Sequence, residues 1–159
     1  MVNKKNIDQI FMFVFGLLGF FLFIVTANSF SVMKKECTAP LIYDGMLGIM
    51  VIGAILTTMA LSYMVCNASS KACYEVETSS LYISDFYLGI SSVLMLILCI
   101  LTLTMGLNIK NYPSCIEQQP KLKTNIWFIF GTCLVLLLGS GSVIGYNIYE
   151  KDFLIKKAI

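Results

Sequence analysis

Every charged side chain of this chain falls outside four long apolar stretches, which run Gln9–Met33, Gly45–Ser70, Phe86–Ile109 and Thr124–Tyr149. A hydrocarbon core of about 30 Å needs roughly 20 helical residues to cross it, and each stretch is long enough. None carries the polar stripe at helical period that marks the buried face of a soluble bundle. The pattern predicts an all-α polytopic membrane protein, a four-transmembrane-helix bundle with short loops. Its spans lie near residues 10–33, 45–66, 86–109 and 125–149, in one membrane domain over residues 1–159.

Aromatic placement agrees with these limits. Tyr43, Tyr63, Tyr87, Tyr112, Trp127, Tyr146 and Tyr149 sit near the ends of the stretches, where amphipathic rings favour the headgroup layer. Pro40, Pro113 and Pro120 fall in the connections, so no proline is expected to kink a span. In the first span Phe11, Phe13, Phe15, Phe20, Phe21, Phe23 and Phe30 are spread around the helix, which predicts lipid contact on several sides. Lys4 and Lys5 before this span, with Val25-Thr26-Ala27 inside it, resemble a signal peptide that would release Asn28 as a new terminus. The uncharged run continues to Met33, longer than an ordinary signal core, and favours a retained span.

With four spans, both termini and the connection Lys71–Asp85 share one face, and the connections Lys34–Asp44 and Lys110–Lys123 share the other. Lys4, Lys5, Lys71, Lys151, Lys156 and Lys157 stand on the terminal face, against Lys34, Lys35, Lys110, Lys121 and Lys123 on the loop face. So even a division does not orient the protein. No connection is long enough for a separate domain.

Composition narrows the chemistry. The chain is 58% hydrophobic and 13% charged, with a mean hydropathy of +0.83. All its basic residues are lysine, and it has no arginine and no histidine. A bidentate phosphate clamp, an imidazole base and a histidine-ligated metal are therefore excluded. A net charge of +2 without a clustered basic face gives no reason to expect nucleic acid. No acidic or basic residue lies within the stretches to mark an ion or proton pathway.

Six cysteines remain. Cys37 and Cys115 occupy the two loop-face connections, so a disulfide joining spans one and two to spans three and four is a candidate. Cys66 and Cys73 flank the terminal-face connection and form a second candidate pair, with free thiols the alternative in both cases. Cys99 and Cys133 lie in spans three and four at similar depth, either as neighbours or as small apolar fillers.

In outline, four spans with cysteines in the loops resemble the quinone-linked disulfide-forming membrane enzymes of the DsbB and vitamin K epoxide reductase type. Those enzymes rely on a Cys-x-x-Cys pair, which this sequence lacks. The resemblance is architectural, and it keeps a four-span thiol-disulfide oxidoreductase as an alternative function. Other four-span families fail on particular residues. Small multidrug transporters need an acidic residue in span one, and eicosanoid and glutathione membrane enzymes need arginines. Tetraspanins carry Cys-Cys-Gly in a large loop, and claudins a first-loop tryptophan, whereas the one tryptophan here is Trp127.

Hydroxyls at Thr57, Thr58, Ser91, Ser92, Thr102 and Thr104 leave a small channel or transporter subunit as a further alternative, though such groups more often bond locally or between helices. Packing surface is plentiful. Gly141 and Gly145 form a G-x-x-x-G step in span four, and Gly53, Thr57 and Ala60 form a small-residue stripe on span two. Gly16-Leu17-Leu18-Gly19 and Gly45-Met46-Leu47-Gly48 look alike, but so short a match is attributed to chance. The same holds for the acceptor-like Asn67-Ala68-Ser69, which abuts the end of span two. The tail from Glu150 to Ile159 mixes charges with Phe153, Leu154 and Ile155, which suits a membrane interface or a partner.

No acid, base, nucleophile pair, metal set or phosphate loop can be assembled, so no catalytic, cofactor or metal residues are expected and the chain is not expected to be an enzyme. The reading is a non-enzymatic structural membrane subunit that anchors or packs within a larger membrane-associated assembly. Its expected partners are the lipid bilayer and other membrane or capsid-type subunits, with no nucleic acid and no small-molecule substrate. Lysine bias points to a viral internal membrane with a minor capsid role, an organellar membrane being the alternative.

Overall fold

A computed structural model describes residues 4–32, 39–69, 83–118 and 120–158. The described residues form five α-helices, α1 (Lys4–Val32), α2 (Pro40–Ser69), α3 (Ile83–Asn108), α4 (Pro113–Gln118) and α5 (Leu122–Ala158), with a 3-10 turn at Ile109–Asn111. No strand occurs among them. Four of the helices, α1, α2, α3 and α5, are long and apolar enough to cross a membrane. The chain is thus an all-α, four-helix membrane bundle. Helices are required because lipid offers no partner to backbone N–H and C=O groups, which must be satisfied within the segment.

Helix limits depart from the apolar stretches where local chemistry decides them. Pro40 opens α2 instead of standing in a connection. At a first helical position its missing N–H is not needed and its fixed φ already suits the helix. Asp44 is thereby carried into α2, one turn from the start, and remains exposed. Pro113 likewise opens α4, a short helix inside the loop-face connection. It also ends what precedes it, since a residue before proline avoids the helical region. Tyr112 accordingly takes φ −126° and ψ 70°, its N–H bonding Ile109 O. With no proline or glycine after Gly145, α5 runs on to Ala158, so the tail continues the helix.

The core lies where α3 meets the other helices. Against α3 pack α2, α5 and, less extensively, α1, while α1 and α2 form the tightest pair. Burial is greatest on α3, 39% of whose span is buried, and least on α5, at 17%. Phe15, Leu22, Ile49, Leu56, Leu88, Met95, Leu98 and Met105 fill the centre. On α1 the phenylalanines divide, for Phe15 is fully buried, Phe13, Phe20, Phe21 and Phe23 are exposed, and Phe11 reaches α5 at Gly139. Tyr63 is not turned outward from the bundle; it is buried edge-on against Tyr87, with ring centroids 5.7 Å apart.

Candidate helix-packing site

Lipid tails are as apolar as leucine, so spans associate through close packing and polar contacts instead of burial of apolar surface from water. Small residues are where this chain makes that possible. At the crossing of α1 and α2 the backbones touch. A Cβ added at Gly19 would lie 2.6 Å from Gly53 O, and one added at Gly53 would lie 2.7 Å from Gly19 O. One turn away, a Cβ at Gly16 would lie 2.6 Å from Cβ of Ala60. Gly53, Thr57 and Ala60 therefore all belong to the α1–α2 contact, and the Thr57 hydroxyl is turned back onto Gly53 O at 2.8 Å.

The second contact joins α3 to α5, and its residues repeat every seven positions. Ser92 faces Ser140, their hydroxyl oxygens 2.9 Å apart. Seven residues further on α3, and seven back on the antiparallel α5, Cys99 stands opposite Cys133. Another seven bring Gly106 against Ile126, whose Cγ2 is 3.5 Å from a Cβ built at the glycine, with Trp127 beside it. Seven residues are close to two helical turns, so Ser92, Cys99 and Gly106 form one seam of small side chains. Cys99 and Cys133 are both buried free thiols.

The hydroxyls inside the spans are tied down locally. Thr58 bonds Ile55 O, Thr102 bonds Leu98 O at 2.7 Å and Thr104 bonds Ile100 O at 2.7 Å. Ser91 approaches Met12 Sδ at 3.9 Å. Ser92 and Ser140 each also contact a carbonyl of their own helix, Leu88 O at 2.8 Å and Leu137 O at 3.2 Å. Two hydroxyl protons thus serve three contacts, and the pair is a polar clasp between helices.

A groove of about 330 Å³ opens beside the α1–α2 crossing, between Phe13, Leu17 and Phe20 on one side and Leu61 and Met64 on the other. Its volume matches a small-molecule pocket, but such pockets have convergent polar groups. Here the lining is almost wholly apolar, and the one hydroxyl, Thr57, is engaged with Gly53 O. No group of three or more acidic, cysteine or histidine side chains comes together among the described residues.

Comparison with protein families, curated proteins and solved structures finds no match. What the chain presents must be read from its own surfaces.

Of the residues singled out from sequence, Gly141 and Gly145 have the most distinctive position. A Cβ at either would meet nothing within 4 Å, and the same is true of Gly131. All three lie on the outer face of α5 with Phe128, Val135 and Leu138, which are 65%, 69% and 64% exposed. The G-x-x-x-G step thus packs no helix of this chain among the described residues. Cys66 and Cys115 are each in a disulfide. Cys37 and Cys73 lie outside the described residues, as does the whole connection between α2 and α3.

Two groups escaped the sequence reading. Gly16, Gly19, Gly45 and Gly48 looked like a chance repeat, yet each meets a neighbouring helix: Gly45 lies under Met105 and Gly48 under Leu101. Their signal was the i, i+3 spacing of glycines on an uncharged helix. The α3–α5 seam was also available as small residues seven apart, but only with a partner register did Ser92 and Ser140 become a pair.

Proposed function

We propose that this chain is a non-enzymatic structural subunit, a membrane anchor that packs through the outer face of α5 within a larger membrane-associated assembly. The observation carrying the reading is that face. It joins three glycines without neighbours to protruding Phe128, Val135 and Leu138, and two of those glycines, Gly141 and Gly145, have the four-residue spacing by which spans approach one another. The hydroxyls' engagement with local carbonyls and the apolar lining of the groove beside the α1–α2 crossing support a packing role over conduction. The expected neighbours are other membrane subunits or the shell of a capsid-type particle, and the setting we favour is a viral internal membrane.

The test is recovery of neighbours from intact membranes after mild solubilisation, comparing the natural chain with Gly145→Leu. Loss of about 1.4 kcal/mol at a helix contact lowers recovery about tenfold. A chain that is recovered alone, or neighbours retained equally by Gly145→Leu, overturns the proposal. Thiol oxidase activity in the isolated chain would instead favour the oxidoreductase.

A further inference from the structure

From Thr124 to Tyr149 the outer face of α5 carries a regular seam. Exposed residues recur there at alternating steps of four and three, on the side of the helix away from the buried Ile126, Cys133 and Ser140. An average step of 3.5 residues keeps one stripe of a helix against another along its whole length, with a left-handed crossing of about 20°. The seam is also complementary to itself when read in reverse. About a point between Leu136 and Leu137, Phe128 falls opposite Gly145 and Gly131 opposite Ser142, while Val135 meets Leu138 and Thr124 meets Tyr149. Phe128 is 65% exposed and a Cβ at Gly145 meets nothing within 4 Å, so a protruding ring lies over a position without a side chain. Packing in the same direction would set Phe128 on Phe128 and Gly145 on Gly145, holding the helices apart at one end and leaving a void at the other. The point of symmetry is the middle of the apolar stretch Thr124–Tyr149, so a two-fold axis through it lies in the membrane plane at mid-depth.

Reverse packing needs two copies inserted in opposite orientations, and the lysines allow it. The bias of lysine and arginine between the two faces sets orientation, and here six lysines on the terminal face stand against five on the loop face. From the seam and this balance we infer that the neighbour on the outer face of α5 is a second copy of this chain, inserted the other way up and packed antiparallel about a two-fold axis in the membrane plane. The inference rests on the packing role proposed for that face and names its occupant.

The test begins with two chains made together, one bearing Thr124→Cys and the other Tyr149→Cys, oxidised in the intact membrane and mapped by peptide. Thr124 and Tyr149 lie 25 residues apart on α5, about 38 Å, so the link formed reports the direction of packing. A link between the two variants is expected, and a link between two copies of Tyr149→Cys overturns the inference. Gly145→Leu should weaken association about tenfold, and Phe128→Ala in the same chain should restore it, because these positions meet across the axis; a loss that Phe128→Ala does not restore refutes the register. Asn111→Lys with Ser114→Lys, both exposed on the loop face, should fix one orientation and abolish the link. Making that chain together with one carrying Asn3→Lys and Asn6→Lys should bring the link back. Persistence of the link in the first chain alone, or no return with the second, overturns the inverted orientation. A photocrosslinking residue in place of Leu138 separates the remaining cases. Capture of a second copy is expected. Capture of a different protein and none of this chain overturns the inference while leaving the packing role standing, and capture of lipid alone overturns both.

Discussion

Gly53→Ala isolates the contact on which the α1–α2 pair depends. The added Cβ would lie 2.7 Å from Gly19 O, 3.1 Å from Phe23 N and 3.2 Å from Leu22 Cβ, whereas ordinary contact begins at 3.4 Å. Two of these three neighbours are backbone atoms, so no rotamer change relieves the clash. The helices must part by about 0.7 Å, a gap that forfeits a quarter to a half of the dispersion well for atoms along the crossing. Overpacking of this kind costs about 1–3 kcal/mol. Gly141→Ala is the control, because it makes the same chemical change where nothing lies within 4 Å. The assay is reversible unfolding as SDS is titrated into mixed micelles, followed by the near-ultraviolet signal of the packed Tyr63–Tyr87 pair. Gly53→Ala should shift the midpoint toward less SDS while Gly141→Ala leaves it in place. Gly19→Ala should behave like Gly53→Ala, and the double variant should cost less than the two combined, because one separation accommodates both methyl groups. Equal midpoints for Gly53→Ala and Gly141→Ala, or strict additivity at the crossing, would refute the reasoning.

Three further outcomes follow from the other contacts. Gly45→Ala should be milder than Gly53→Ala in the same titration, since its nearest neighbours are Met105 side-chain atoms at 2.5 to 3.3 Å, and these can swing aside; an equal loss would show that Met105 is held in place. Ser92→Ala should cost about 0.6 kcal/mol, typical of a hydrogen bond between spans, with Ser140→Ala adding little once Ser92 is gone; full additivity would count against the clasp. Mild oxidation in detergent should join Cys99 to Cys133 within one chain, seen by peptide mapping, and failure to form that link while other thiols oxidise would contradict the seven-residue register of α3 on α5.

Charge placement alone determined that this is a multi-pass helical membrane protein, because an ionised group in hydrocarbon costs several kcal/mol and its exclusion from four stretches marks them at any fold. The same uniformity hid the packing. A span that is apolar all round has no periodic stripe to say which side faces protein, so sequence could name small residues without assigning them. Tertiary structure made the assignment. Gly53, Thr57 and Ala60 went to α1, Ser92, Cys99 and Gly106 to α5, and Gly141 and Gly145 to neither. Close approach depends on two backbones and their register, and no single segment contains that information. Cysteine pairing divides in the same way. Spacing offered candidates, whereas the bonded state of Cys66 and Cys115 and the free state of Cys99 and Cys133 came from where the folded helices carry them. What a segment does in lipid is set by its own solvation, and what it touches is set by the shape of its neighbours.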